Sequence, residues 1–227
     1  MAVVTDYTCS KCGLELSDDG RVFIWDGESG ETRDFLILMN TYMLLDGAKI
    51  SGKVYETFCR QCDRYVKVYS IREVHEGIEN PVELVTEGIR RRNERCRKKT
   101  EKLRAIRERS KYSIERDDDY YIVTFPEYGD FDYSNDYAPE MTKDEVIRHA
   151  LNDFHEEIDG IIESYEHRIC GSHYLVVDET DVLKDEFDLF EKVKCPECGS
   201  EINKHVSGEL PCPRCGGFIF GLPICYD

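Results

Sequence analysis

Four Cys-x-x-Cys pairs are the residues of this sequence best suited to chemistry. Two pairs precede residue 63 and two follow residue 194. The two-residue spacing lets both sulfurs of one turn face the same ion, and two such turns supply four thiolates in a tetrahedron. We therefore predict that all eight of these cysteines bind metal: Cys9, Cys12, Cys59, Cys62, Cys195, Cys198, Cys212 and Cys215.

Proximity along the chain groups these pairs into two sites, one at each end. The N-terminal pairs are far apart, but loop-closure entropy grows only logarithmically with loop length, so a long insertion is tolerated. The alternative is that an N-terminal pair shares a metal with a C-terminal pair, which the short spacing of the C-terminal pairs disfavours. The predicted sets are Cys195, Cys198, Cys212 and Cys215 at one end, and Cys9, Cys12, Cys59 and Cys62 at the other.

Residues 191–222 resemble a zinc ribbon, the rubredoxin-like fold with a Cys₄ metal site. The resemblance is carried by Cys195-Pro196-Glu197-Cys198-Gly199 and Cys212-Pro213-Arg214-Cys215-Gly216. In each turn Pro fixes a φ angle, and Gly allows the backbone to turn toward the sulfurs. Residues 9–62 look like a second ribbon with an insertion. The resemblance implies small β modules but no particular function, since such ribbons occur in transcription, translation, nucleic-acid enzymes and adaptor proteins.

Zinc is the metal that we expect in both sites. Zn²⁺ is redox-inert and takes four thiolates in a tetrahedron, which leaves no position for a substrate, so each site would be structural. Iron is the alternative and would make the protein an electron carrier of the rubredoxin type. The turn Cys59-Arg60-Gln61-Cys62-Asp63 lacks the usual Gly, which argues against iron.

A third group of possible ligands is spaced regularly as His167-x-x-Cys170-x-x-His173, and Cys96 is a possible fourth member. Two His and two Cys form a plausible metal site. The alternative, which we favour, is structural. Cys170 would pack in the core, His167 would lie near the negative end of a helix dipole, and His173 would begin a strand.

Composition limits the classes of function. The chain has 227 residues, and 47 Asp and Glu against 30 Lys and Arg give a net charge of −17. This charge argues against binding a phosphate backbone over the whole surface and is compatible with a basic protein partner. Residues 1–6 lack the basic and apolar regions of a secretory signal, and the apolar run 35–39 is too short to span a bilayer. We therefore expect a cytoplasmic protein without membrane contact, with cysteines as metal ligands and not disulfides.

Periodicity predicts a mixed α+β fold. We expect N-terminal and C-terminal zinc-ribbon-like β modules that flank an antiparallel pair of long helices with short strands. The helices are predicted at 80–116 and at 142–169, where Thr142 and Glu145 form a capping box. The apolar stretch 35–45 fits either a strand or a short helix. The predicted domains are 1–79, a ribbon-like module with an insertion; 80–190, a central helical region; and 191–227, a C-terminal ribbon.

The two predicted helices carry opposite charge. Residues 81–112 contain twelve Lys and Arg and five Asp and Glu, a net of 12 − 5 = +7. Residues 140–169 contain three and nine, a net of 3 − 9 = −6. The simplest explanation is an internal pair of helices. The alternatives are that the basic stretch Arg90–Arg109 binds nucleic acid, or that it contacts an acidic protein.

No phosphate-binding loop or catalytic triad motif is present, so no residue can be named for an enzymatic reaction. We expect a zinc-stabilised, non-enzymatic binding or adaptor protein that acts through protein–protein contacts, with the acidic, aromatic loop 126–138 as a candidate surface. One alternative is a nucleic-acid-associated zinc-ribbon factor that uses the basic helix 86–111 and the turn residues Lys11, Arg60 and Arg214. A second is the rubredoxin-like iron carrier.

Overall fold

A computed structural model describes residues 2–18, 20–35, 48–129, 131–136, 138–169, 173–181 and 191–226. Within these ranges the fold is mixed α+β, as predicted, and none of the described helices is long and apolar enough to cross a membrane. The helices are α1 (Pro81–Arg109) and α2 (Lys143–Arg168). The strands are β1 (Ala2–Cys9), β2 (Glu15–Asp18), β3 (Val22–Asp26), β4 (Glu31–Phe35), β5 (Ile50–Cys59), β6 (Arg64–Val74), β7 (Ser113–Asp117), β8 (Tyr120–Thr124), β9 (Asp132–Ser134), β10 (Tyr174–Asp178), β11 (Lys192–Lys194), β12 (Glu201–Asn203) and β13 (Ile219–Tyr226).

The chain forms two compact units. The first comprises Met1–Arg92 together with Cys170–Asp227, and the second comprises Asn93–Ile169. This division differs from the predicted domains 1–79, 80–190 and 191–227, because the two ends of the chain share one unit. The physical reason is a long-range strand pair: β1 and β13 are antiparallel neighbours in a sheet of order β13-β1-β2.

A five-stranded sheet forms the centre of the first unit, in the order β10-β6-β5-β3-β4. Only β10 and β6 run parallel; the other neighbours are antiparallel. The first turns of α1 cover this sheet, and Val85 and Ile89 pack with Phe23 and Tyr69 in one buried cluster. A two-stranded β11–β12 hairpin completes the unit.

The second unit has its own core. Residues of α2 pack against the sheet β7-β8-β9 and against the last part of α1. The rings of Phe125 and Phe154 stack at 3.8 Å between centroids. The predicted capping box is present at α2, where the Thr142 side chain accepts from the Glu145 N–H and the Glu145 side chain accepts from the Thr142 N–H.

The helix pair is shorter than the sequence predicts. Lys99 Nζ donates to the Tyr165 hydroxyl at 3.2 Å, and Arg107 donates to Asp159 at 2.8 Å, so the two helices run antiparallel there. The first part of α1 packs on the five-stranded sheet, because its apolar residues match that surface. The predicted helix 80–116 ends at Arg109, since Ser110 has a left-handed φ of 43°.

The aromatic loop 126–138 is not the surface that we expected. Tyr133 is buried, and Tyr128 and Phe131 pack against the core of the second unit. Burial of these apolar side chains in the core stabilises the second unit, and this stabilisation would be lost if they were exposed to water. Tyr137 and most of the stretch 35–45 lie outside the described residues.

Candidate metal centres

The eight paired cysteines come together in two groups of four, but not in the groups that chain proximity predicts. Each group combines one pair from the start of the chain with one pair from its end. We call the first the terminal quartet and the second the central quartet. The terminal quartet is Cys9, Cys12, Cys212 and Cys215, and the central quartet is Cys59, Cys62, Cys195 and Cys198. The prediction of separate N-terminal and C-terminal sets is therefore wrong.

Strand pairing explains the terminal quartet. Antiparallel pairing of β1 with β13 places Cys9 opposite Ile219, so the turn after β1 lies beside the turn that precedes β13. Cys9, Cys212 and Ile219 are all buried in one cluster, together with Phe58 of β5. The ladder brings the two turns together although they are far apart in the sequence.

The central quartet joins two hairpin turns. One connects β5 to β6, where Cys59 pairs with Arg64, and the other connects β11 to β12, where Lys194 pairs with Glu201. Cys59, Cys195, Val66 and Ile202 form a small buried cluster behind the sulfurs. Packing of one hairpin on the other therefore positions this site.

The sulfur spacing fits a tetrahedral ion. A metal with metal–sulfur bonds of about 2.3 Å places its sulfurs about 3.8 Å apart, whereas a disulfide needs about 2.05 Å. All four ligand atoms of each quartet lie within 4.8 Å of one another. The Sγ–Sγ distances are 3.5 Å for Cys9–Cys215, 3.7 Å for Cys12–Cys212, 3.6 Å for Cys59–Cys198 and 3.8 Å for Cys62–Cys195.

All four turns have a left-handed residue directly after the second cysteine. In three turns it is glycine, with φ of 66° at Gly13 and 71° at Gly199 and Gly216. In the fourth it is Asp63, with φ of 51°. Asp is one of the few residues that visit this region routinely. The missing glycine at this turn therefore does not prevent the same turn geometry.

Hydrogen bonds favour the ionised form of Cys9 in the terminal quartet and of Cys59 and Cys198 in the central quartet, whereas the pKa is raised at Cys12, Cys62, Cys195 and Cys212. Burial raises the pKa of the Cys9 thiol, but backbone N–H groups of Cys12 and Lys11 outweigh it and help lower the pKa to about 6. The Ser200 hydroxyl and backbone N–H lower the pKa of Cys198 to about 6. A donor hydrogen bond stabilises the thiolate relative to the thiol, and the thiolate is the form that binds metal.

His173 belongs to a smaller group beside the central quartet. Its Nε2 contacts the Glu197 carboxylate, and both residues lie near the sulfur of Cys62. Among the described residues Cys96 is in no such group; it is buried in the second unit. Cys170 and the His167 side chain lie outside the described residues, so the predicted His167, Cys170 and His173 site stays untested.

The two quartets are linked through their turns. Arg214, within the terminal quartet, forms an ion pair of 2.9 Å with Asp63, which directly follows the central quartet's Cys62. The Arg214 guanidinium also lies 5.5 Å from the centroid of the Phe58 ring. Of the three turn residues predicted to contact nucleic acid, Lys11 and Arg60 are exposed and Arg214 has this acidic neighbour.

A buried ionic network fixes the β11–β12 hairpin, and no sequence motif indicates this network. The Lys204 side chain is fully buried, with Nζ in contact with Glu179 and 2.8 Å from Glu191. Arg72 lies 3.0 Å from Glu179, and the Ser70 hydroxyl also donates to it. Burial raises the pKa of Glu179, but hydrogen bonds from Lys204 and Ser70 outweigh this and lower it. In the sequence Lys204 resembles an ordinary surface lysine, because burial depends on strands that are distant along the chain.

No protein-family model matches this chain. No curated protein and no solved structure matches it either. The function must therefore be inferred from the quartets and from the surface around them.

Proposed function

We propose that this protein is a zinc-stabilised, non-enzymatic binding protein that acts through protein–protein contacts. The observation that carries the proposal is the pair of Cys₄ groups at tetrahedral spacing. Four thiolates fill the coordination sphere of Zn²⁺, so neither ion has a position for substrate and both are structural. Binding of Zn²⁺ contributes about 10–16 kcal/mol to the folding of zinc-finger peptides, and we expect a comparable role here.

The rubredoxin-like iron carrier is the alternative for the metal, because a tetrahedral set of four sulfurs suits zinc or iron. Metal analysis of the purified protein tests this. Zinc predicts a colourless protein with two zinc ions per chain, and iron predicts visible thiolate-to-iron absorption that changes on reduction. Iron in either quartet would overturn the proposal of two structural zinc sites.

The ion pairs of the basic helix α1 weaken the case for nucleic-acid binding that its sequence suggested. At least eight of the twelve basic residues between 81 and 112 contact a carboxylate, and the Arg92 side chain is buried against Asp34. A polyanion would have to displace these partners. The pairs are Arg90 and Arg91 with Glu87, Arg92 with Asp34, Lys98 with Glu94, Arg104 with Glu166, Arg107 with Asp159, and Arg109 and Lys111 with Glu127.

Binding assays with single-stranded and double-stranded DNA and RNA at low salt distinguish the two functions. Nucleic-acid binding driven by phosphate contacts is strongest at low salt, so absence of binding there eliminates that function. For the proposed function, the purified protein should retain a protein partner at low salt and release it as salt is raised. Failure to retain any protein at any salt concentration would contradict it.

The pairing of the cysteines can be tested by removing four at a time. Replacing Cys9, Cys12, Cys212 and Cys215 by Ser removes only the terminal quartet, so one zinc per chain should remain. Replacing Cys9, Cys12, Cys59 and Cys62 removes half of each quartet, so neither site retains tight binding. Zinc is counted in the purified variants, and Co²⁺ absorption reports tetrahedral thiolate coordination in variants with low stability.

The opposite result would support the grouping by chain proximity. In that case the second variant would keep one zinc and the first would keep none. Each variant changes four cysteines to serine, so each is the matched control for the other.

A further inference from the structure

Three large apolar side chains are exposed on one side of the segment that begins β13: Phe218 directly precedes the strand, and Phe220 and Leu222 belong to it. Phe218, Phe220 and Leu222 have exposed fractions of 62%, 57% and 68%. They occupy alternate positions, and alternate residues of a strand point to the same face of a sheet. The rings of Phe218 and Phe220 touch edge to face, with centroids 4.9 Å apart. We call these three residues the β13 strip. Contiguous exposed apolar surface of this kind marks interaction sites in folded proteins.

The β13 strip is not needed for the metal site. Ile219, on the opposite face of β13, is buried against Cys9 and Cys212. Since the alternation places Ile219 inward, the residues of the strip face away from the terminal quartet. The apolar side chains of the strip therefore do not contribute to the buried cluster around the terminal quartet.

Acidic residues lie next to the strip. Two rows of neighbouring residues cross the sheet from β13 through β1 to β2. One row is Leu222, Asp6 and Ser17, and the other is Phe220, Thr8 and Glu15. A cavity of about 420 Å³ at this edge of the strip is lined by Leu222 and by three carboxylates, and its described lining includes no Lys or Arg. The carboxylates belong to Asp6, Glu15 and Glu56.

We propose that the β13 strip and this acidic cavity bind an extended, basic segment of a partner protein. The strip would contact aliphatic or aromatic side chains of the segment, and the cavity would accept its Lys or Arg side chains. Apolar contact provides affinity, and complementary charge selects the partner. This inference rests on the proposed function as a binding protein and assigns that function its surface.

Other occupants fit the surface less well. A second copy of this chain would bring two sets of carboxylates together, in a protein of net charge −17. A single-stranded nucleic acid could stack on the two Phe rings, but its phosphates would meet Asp6, Glu15 and Glu56. Among the described residues β13 is the outermost strand of its sheet, and Pro223 disfavours addition of a further strand there. The Ser10 N–H donates to the Phe218 carbonyl, so the backbone groups of Phe218, Phe220 and Leu222 face β1. The backbone of Pro223 therefore faces the edge away from β1, where proline has no N–H to donate to an added strand.

A selection from a randomised peptide display library tests the inference, with the zinc-loaded wild-type protein as target. Enriched peptides should combine Lys or Arg with aliphatic or aromatic residues. They are then synthesised with a fluorophore, and their affinity is measured by fluorescence anisotropy. The Phe220→Ser/Leu222→Ser variant should bind them at least about tenfold more weakly, because it removes the apolar contact. Tyr112→Ser, which changes an exposed aromatic residue elsewhere, should bind like wild type.

The charge component has its own pair of variants. Glu15→Gln/Glu56→Gln should weaken binding of the enriched peptide about fivefold or more at low salt and reduce its salt dependence. Glu101→Gln/Glu108→Gln removes the same charge from exposed positions of α1 and should leave the affinity nearly unchanged.

Several outcomes would overturn the inference. These are no enriched peptide, enrichment of acidic peptides, or equal binding by wild type and the Phe220→Ser/Leu222→Ser variant. Oligothymidylate binding that this variant loses would assign the strip to nucleic acid, and a dimer in sedimentation that it loses would assign the strip to self-association.

Zinc counts and partner retention are measured separately. A protein that keeps two zinc ions and a partner after loss of the strip retains the proposed function but not this surface.

Discussion

At the scale of residues, backbone handedness matters more than residue identity in the four Cys-x-x-Cys turns. Gly13, Gly199 and Gly216 occupy left-handed conformations that are strained for most other residues. Asp63 occupies the same region at the fourth turn, where the absent glycine argued against a rubredoxin-like iron site. The structure therefore removes that argument, and the choice between zinc and iron depends on metal analysis.

The capping box of α2 provides a test at the same scale. Thr142→Ala should lower the unfolding free energy by about 1 kcal/mol, the usual cost of losing an N-cap hydroxyl. It should also raise the pKa of Glu145 toward its ordinary value, because the largest cause of the lowered pKa is the hydrogen bond from the Thr142 side chain. The measurements are unfolding with denaturant and a carboxyl titration by ¹³C NMR.

The sign of the pH dependence follows from the lowered pKa of Glu145. Its stabilising effect is present above the ordinary carboxyl pKa and is lost as pH falls through the lowered value, so wild type and Thr142→Ala should converge in acid. Thr86→Ala is the matched control, since the Thr86 hydroxyl bonds to the Val82 carbonyl within α1 and caps no helix. An unchanged pKa of Glu145 in Thr142→Ala would contradict the prediction.

At the scale of elements, α1 serves two environments. Its first part lies close to β4: a Cβ added to Gly88 would lie 2.8 Å from the Thr32 backbone nitrogen. Arg92 follows on the same side, buried, with a hydrogen bond of 3.1 Å to the Thr32 carbonyl. The later part pairs with α2 through charged side chains. The charge pattern alone predicted only the second of these environments.

Two helical glycines give a paired test of this close approach. Gly88→Ala should destabilise the protein by about 1–3 kcal/mol, because overpacking against β4 exceeds the gain in helix propensity. Gly160→Ala should instead stabilise it by roughly 0.5–1 kcal/mol, since no heavy atom lies within 4 Å of the added Cβ in α2. Both values come from unfolding with denaturant. Stabilisation by Gly88→Ala would show that α1 does not approach β4 this closely.

At the scale of the whole molecule, both cysteine quartets lie in the unit formed by the two ends of the chain. All eight sulfurs belong to Met1–Arg92 or Cys170–Asp227, and none belongs to Asn93–Ile169. A metal that closes a long loop removes more conformational entropy from the unfolded chain than one that closes a short loop. Metal bound in these crossed quartets would therefore stabilise the association of the chain ends more than metal bound in two local sites.

Removal of metal should affect the two units differently. Two zinc sites of about 10 kcal/mol each equal or exceed the total stability of a typical domain, about 5–15 kcal/mol, so the first unit should open without zinc. Hydrogen exchange measured by mass spectrometry, after treatment with a strong chelator under reducing conditions, should show lost protection in 2–92 and 173–226. Protection should persist around Val123 and Phe154, which are buried in the second unit's own core.

Restoring zinc is the control for this experiment and should return the lost protection. Equal loss of protection in both units would indicate that the second unit depends on the metal sites. Unchanged protection everywhere would contradict a structural role of the metal.

The sequence by itself determined the four Cys-x-x-Cys pairs, the mixed α+β class and the capping box of α2. These features depend on spacing and periodicity within a few residues. Only the tertiary structure decided which pairs share a site, because four Cys-x-x-Cys turns are chemically equivalent ligands and the free energy of loop closure changes slowly with loop length. The pairing of β1 with β13, and of the β5–β6 hairpin with the β11–β12 hairpin, made that choice through contacts between residues far apart in the chain.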